Sequence, residues 1–193
     1  MNARALVSAT ACALALLTPA GCAKPYDYTN FREHRPRSIL VLPPVNESRE
    51  AEAAWSYQST VTRPLAERGY YVFPVAVVDR VMKDNGVPPG KVGEILGADA
   101  VLYVTLEEYG TKHQVLNAAT IVKLRAKLVD TRSGLLLWER RFAIQHNSNL
   151  GSGGIPGDST AAHNLSGPAN VRFFGDKDQG LLYGPYHPRY GKE

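Results

Sequence analysis

Both cysteines of this 193-residue chain, Cys12 and Cys22, fall within its first 22 residues. Whatever folds beyond them has no disulfide, no thiolate metal site and no cysteine nucleophile, and must be held together by its core alone. Cys12 sits in an apolar run, Ala5 to Leu17, broken only by Ser8 and Thr10 and preceded by Arg4. The run is shorter than the roughly 20 residues needed to span a bilayer. A basic start, a short apolar stretch and small residues after it describe a signal peptide. The stretch closes on Leu17-Thr18-Pro19-Ala20-Gly21-Cys22, the pattern of a bacterial lipoprotein signal peptidase site, although Pro19 stands where Leu is usual. The reading divides residues 1–21 as signal peptide from a mature chain that begins at Cys22 and carries lipid on its thiol. Ala23 follows; an Asp there is the enteric signal for inner-membrane retention, so Ala23 points to the periplasmic face of the outer membrane. The alternative is cleavage after Ala20 or Ala23, which would release a soluble periplasmic protein.

The formal charge is +4. Arg4 leaves with the signal peptide and the other basic residues are scattered. Nucleic-acid proteins gather basic residues on one face, and an export signal argues against such a partner again. Residues 22–37 read as a tether. Ala23 to Arg37 has little apolar content, two prolines and clustered charge, and could stretch to about 50 Å at roughly 3.3 Å per residue.

The folded part is expected over 38–147. Ile39-Leu40-Val41-Leu42, ended by Pro43-Pro44, has the continuous apolar character of a strand buried on both faces. Glu50 to Arg68 is helical in pattern, kinked or divided at Pro64 and stopped by Gly69. Tyr70 to Phe73 reads as a second strand, Val77 to Asp84 and Gly90 to Leu96 as short helices, and Ala100 to Tyr109 as a third strand. Val115 to Asp130 alternates apolar and basic residues, and Leu135 to His146 returns after a hairpin loop at Asp130–Gly134. Leu136, Trp138, Phe142 and Ile144 are expected to share the core face. The order predicts an α/β (α+β) fold: one mixed five-stranded sheet in the order 2-1-3-4-5, a parallel crossover followed by an antiparallel meander, with helices mainly on one face. Residues 148–193 form a Gly/Pro-rich C-terminal segment, in which Gly167-Pro168 interrupts any helix. It closes on an aromatic, extended motif whose Leu181, Leu182, Tyr183, Tyr186 and Tyr190 are candidates either for docking a partner or for covering the chain's own sheet.

No catalytic, cofactor or metal constellation is found. Gly86 to Val92 has three residues between its glycines and Val92 after the lysine, so it is not a phosphate loop. The five histidines lack metal-site spacing. No Gly-x-Ser-x-Gly occurs. Glu107 and Glu108 are adjacent on a strand and are expected to point to opposite faces. Lys123, Arg125 and Lys127 form a basic stripe on the outer sheet face, and a hairpin centred on Arg132 would set Arg125 opposite Glu139.

Several stretches resemble a known family: Pro64-Leu65-Ala66-Glu67-Arg68-Gly69-Tyr70-Tyr71-Val72-Phe73-Pro74-Val75, Gly97 to Val104, Ala126 to Gly134 with Trp138, and Gly180-Leu181-Leu182-Tyr183-Gly184-Pro185. They are similar to the small lipoproteins of Gram-negative bacteria typified by a meningococcal genome-derived vaccine antigen. The resemblance covers about Arg37 to Asn147 and the last dozen residues. It implies a fold like the N-terminal domain of the Tol system's periplasmic protein and like lipoproteins that activate peptidoglycan synthases. It also implies partners among other envelope lipoproteins, including one resembling the curli secretion pore. The family carries an apolar helix before the closing motif. Here Gly- and Pro-rich sequence stands in its place, which argues against oligomerisation through that helix. The expectation is therefore a non-catalytic accessory of an outer-membrane secretion, transport or assembly system. The alternative is a periplasmic ligand-binding module with a pocket at the strand ends.

Overall fold

The structure, a computed structural model, describes residues 26–113, 117–149 and 159–192. The signal peptide, Cys22 and the Gly151–Gly157 linker lie outside the described residues. The chain forms α1 (Thr29–His34), β1 (Ser38–Val41), β2 (Val45–Asn46), α2 (Ala53–Glu67), β3 (Tyr71–Val72), α3 (Val75–Asn85), α4 (Pro89–Leu96), β4 (Ala100–His113), β5 (Asn117–Asp130), β6 (Leu136–Asn149) and α5 (Ser159–Gly175).

The strands make one mixed sheet in the order β3-β1-β4-β5-β6. β3 and β4 flank β1 in parallel, and β4, β5 and β6 run antiparallel. This is the order 2-1-3-4-5 expected of five strands. The sixth, β2, is a two-residue strand parallel to β4, reached past Pro43-Pro44. Its length gave no periodicity to read.

Two apolar layers sandwich the sheet. On one face Ile39, Val41, Leu102, Val104, Leu106, Val122, Leu124 and Leu128 meet α2 and α5 through Tyr57, Val61, Leu65, Ala162, Phe173 and Phe174. On the other, α3 and α4 bring Val78 and Val92 against Leu40, Leu42 and Val101. The long helices thus share one face, and the short pair covers the second face only at the parallel end. Strand β1 is buried on both sides, which is why its sequence is continuously apolar.

Four expectations change. Residues 26–37 do not run out as an extended tether: Phe31, in α1, is 2% exposed within the main core, and Tyr26 and Tyr28 pack against it. Helix α5 runs unbroken through Gly167-Pro168. The proline forfeits one helical bond, but the helix buries Ala162, Ser166, Ala169, Asn170, Phe173 and Phe174, and tertiary burial on this scale outweighs a local cost of about 3 kcal/mol. A helix thus precedes the closing motif, where the Gly- and Pro-rich sequence argued against one. Trp138 is fully buried and Phe142 and Ile144 are half-buried against the same core, but Leu136 is 39% exposed and Leu137 takes the inner place. A bulge is responsible, since Leu128 pairs with Trp138 and Val129 with Leu136, leaving Leu137 as the extra residue. The hairpin turns between Arg132 and Ser133 instead of about Arg132, and the insertion shifts the register by one residue more, so Glu139 faces Lys127, at 3.4 Å, rather than Arg125, which faces Arg141.

Candidate docking surface

The closing segment is stitched to the domain from its first residue. Near the end of helix α5 lie Phe173 and Phe174, whose rings meet at 60° with centroids 4.9 Å apart and reach Trp138 at 5.2 and 6.0 Å. Asp176 then turns the chain. Its Oδ1 accepts the amides of Asp178 and Gln179, both at 3.0 Å, and its Oδ2 accepts Arg140 Nη2 at 3.0 Å. Arg140 also donates to the Phe173 carbonyl at 2.7 Å. Three of the carbonyls that follow are met by aromatic side chains: Trp138 Nε1 donates to Gln179 O at 2.9 Å, and the hydroxyls of Tyr28 and Tyr70 donate to Gly180 O and Leu182 O, both at 2.5 Å. Farther on, Gly184 N donates to Arg68 O at 2.8 Å and Tyr186 N to Gly69 O at 3.1 Å. A Cβ on Gly184 would overlap the Gly69 carbonyl, and one on Gly180 would overlap the carbonyls of Phe174 and Asp176. The glycines of this motif are there because backbone passes against backbone.

The five candidate residues separate accordingly. Leu181 is 1% exposed and belongs to the core, so it cannot touch a partner. Leu182 packs on that core, half-buried. The Tyr183 ring lies between His187, stacked at 4.0 Å, and the Arg68 guanidinium at 4.6 Å. Tyr190 lies under Arg35 at 5.3 Å and is 37% exposed. Tyr186 stands out at 70% exposure.

Burial pushes the Asp176 carboxyl up, but the amides of Asp178 and Gln179 and the Arg140 guanidinium outweigh it, so the net shift is down. A depressed folded value contributes stability above the ordinary carboxylate range and loses it as pH falls through that range, near about 4, and below. Asp176→Asn, which keeps an acceptor oxygen for the turn, is expected to cost about 1 kcal/mol at neutral pH, discounted for exposure. Melting curves of the variant should flatten against pH between about 4 and 3 relative to wild type.

The other sequence candidates are occupied structurally. A second bulge, between Leu106 and Glu108, puts both glutamates on the outer face, contrary to the expected alternation. Glu107 meets Arg141 at 3.5 Å, and Glu108 meets Lys112 at 2.7 Å and Lys123 at 2.6 Å. Those two lysine hydrogen bonds hold the Glu108 carboxyl down at about 2. The loop Gly86–Pro88 is a turn between α3 and α4, as its prolines implied. One cluster escaped the sequence: Ser56 Oγ lies 2.9 Å from His163 Nδ1 and 2.7 Å from Tyr109 Oη. It joins α2, β4 and α5, and Thr60, Ser166 and Asn170 continue the same polar seam between the helices. No linear signal links residues 107 positions apart. Among the described residues no group of His, Cys, Asp and Glu has the arrangement to hold a metal, and no helix is long and apolar enough to cross a membrane. An open depression of about 740 Å³ lies between residues 47–50 and the Glu107–Lys112 stretch of β4. Its charged walls are where the ligand-binding alternative would have to work.

Among the described residues β6, a strand of 14 residues, has an open outer side at the edge of the sheet. Near its start Asn30 Nδ2 donates to Leu136 O at 3.2 Å, and the Glu139 N–H donates to Tyr26 Oη at 2.8 Å. By antiparallel alternation the backbone groups of Arg141, Ala143, Gln145 and Asn147 face the same way as those of Glu139. Among the described residues none pairs with them.

Comparison with known proteins matches residues 26–186 to the family described as "Putative lipoprotein GNA1162-like". A curated relative, "Putative lipoprotein NMB1124/NMB1162" of Neisseria meningitidis serogroup B, is 44% identical over 146 residues, covering 71% of this chain and 68% of its own. The crystal structure of lipoprotein GNA1162 from Neisseria meningitidis matches with a TM-score of 0.57 at 37% identity, covering 74% of this chain and all of that one. A PelC dodecamer from Paraburkholderia phytofirmans is matched at 18% identity and a TM-score of 0.49, over 72% of this chain and 86% of that one.

Proposed function

This chain belongs to the GNA1162-like lipoprotein family, and from that premise we propose that it is a non-catalytic accessory of the cell envelope. It is held by lipid on Cys22 at the periplasmic face of the outer membrane and acts by contact with another envelope protein. The observation that carries the contact reading is the open edge of β6. An exposed strand edge is a template for adding a strand from another chain, with main-chain hydrogen bonds supplying affinity. Natural sheets blunt such edges with charge, proline or a covering segment. Here Tyr26 and α1 cover the start of β6, and the stretch from Arg141 onward has no proline. The reactive side chains support the non-catalytic reading, because Glu107 and Glu108 are in ion pairs and Ser56, His163 and Tyr109 serve helix packing.

The test is Ala143→Pro. The Ala143 N–H points away from β5, so proline there removes no bond of the sheet and is tolerated at an edge, while it blocks a strand from pairing. Melting temperature should move by no more than a few degrees. Proteins that co-purify with the wild type from solubilised envelopes should be lost, and quantitative mass spectrometry would read the difference. The same set captured at the same yield by Ala143→Pro would sink the strand-edge reading.

A further inference from the structure

If Cys22 carries the lipid, little chain separates membrane from domain. Only Cys22, Ala23, Lys24 and Pro25 precede Tyr26, which is already packed 4.8 Å from Tyr28 and bonded to Glu139. Four residues reach at most about 14 Å at roughly 3.3–3.6 Å each. A domain on so short a leash cannot stand clear of the leaflet, and the face from which the chain emerges must lie near it.

That face is built from two segments packed side by side. Tyr28 bonds to Gly180, the Arg35 guanidinium covers Tyr190, and Phe31, Pro36 and Leu182 line the seam. Its exposed charge is one-sided: Arg32, Arg35, Arg37, Arg189 and Lys192 against Asp27 and Glu33. None of the ion pairs found among the described residues involves these five side chains; the Arg37 amide, not its guanidinium, donates to Asp99 Oδ2 at 2.9 Å. Tyr186, 70% exposed, belongs to the same closing turns as Arg189 and Lys192, with its amide on the Gly69 carbonyl. Tyrosine with an apolar ring and a polar tip, among arginines and lysines, is the composition of residues that settle at a membrane–water interface.

We infer that the surface formed by α1 and the closing turns rests on anionic glycerophospholipid headgroups of the leaflet that holds the Cys22 anchor, with its cations on phosphates and Tyr186 at the interface. This rests on the lipid-anchor reading. It also orients the molecule. The three long strands, each 14 residues or about 45 Å at roughly 3.3 Å per residue, lead away from the membrane, and the open stretch of β6 faces the periplasm.

The mature chain has no thiol other than Cys22, so Tyr186→Cys and Trp55→Cys each add a single labelling site. Trp55 is 77% exposed and lies 12 residues from the Glu67 end of α2, which is the end nearest the closing turns, about 18 Å along the helix. The lipidated full chain, its acyl mass confirmed in each preparation, is spin-labelled and placed in phosphatidylcholine vesicles with and without phosphatidylglycerol. Collision with a water-soluble nickel chelate is then measured. With phosphatidylglycerol present, label at position 186 should be shielded severalfold relative to label at 55. Adding Arg189→Glu and Lys192→Glu should lower occupancy of the docked state by on the order of twentyfold, taking about fivefold per cation near an anionic surface, while the protein stays vesicle-bound. Equal nickel access at 186 and 55, or shielding indifferent to the two reversals, overturns the proposal. So does shielding seen in native envelopes but absent from lipid vesicles, which would assign the surface to a protein instead. A missing acyl mass is a separate result and removes the anchor itself.

Discussion

Truncation after Gly180 should leave a domain that no longer melts cooperatively near the wild-type temperature. The deletion removes Leu181, which is 1% exposed in the main core, and uncovers the surface beneath Leu182. Loss of one buried leucine side chain costs about 2–5 kcal/mol. The truncation also removes the hydrogen bonds that the segment makes to the Tyr70 hydroxyl and to the carbonyls of Arg68 and Gly69, at about 1 kcal/mol each. The sum is comparable with the 5–15 kcal/mol that holds a typical domain, and there is no disulfide to compensate. Differential scanning calorimetry of the full and truncated mature chains would decide it. A Tm within a few degrees of wild type would mean that residues 181–193 are an appendage and that the burial of Leu181 contributes nothing. It also follows that tail deletion cannot be used to look for partners, because it perturbs the fold. Point changes at Tyr186 or along β6 leave the core intact.

The sequence carried the sheet well, since each long strand has a periodicity that physics enforces. Ile39 to Leu42 is apolar throughout because both faces are covered, and Val122 to Leu128 alternates because one is not. What failed depended on single-residue insertions. Adjacent glutamates on a regular strand must diverge, yet the bulge at Leu106/Glu108 turns Glu107 and Glu108 to one side. The extra Leu137 likewise swaps Leu136 outward. Neither bulge carries a glycine, so no local residue announced it. Gly167-Pro168 gave the opposite error: a genuine breaker signal was overruled by Phe173, Phe174 and Ala162 packing on the sheet. The supposed tether hid three aromatics, Tyr26, Tyr28 and Phe31, whose burial no composition average reveals. The closing motif was legible as a motif but not as a surface, since its leucines turn inward and its tyrosines divide between packing and exposure. The Ser56–His163–Tyr109 cluster had no linear signature at all. Cys22, by contrast, is read from sequence alone.

Loss of the anchor should have the largest functional effect of any single substitution. Multiple acyl chains give an effectively permanent hold, because each buried methylene adds about 0.8 kcal/mol and one chain alone binds only marginally. Among the described residues no helix can take over that task, and the surface cations of α1 and the closing turns act only at short range through a Debye length of about 8 Å in physiological salt. Cys22→Ser is therefore expected to abolish membrane association by orders of magnitude while leaving the melting temperature of the domain unchanged, since the core found among the described residues is built from Tyr26 onward. The most direct measurement is the intact mass of the mature protein recovered from envelopes, together with its fractionation. The account predicts a chain beginning at Cys22 and heavier than its sequence by a diacylglyceryl group with or without an amide-linked acyl chain, found with the membranes, and a Cys22→Ser variant that is unprocessed or released. A mature chain that starts beyond Cys22 with no added mass, or a Cys22→Ser variant that matures and fractionates like wild type, would contradict it.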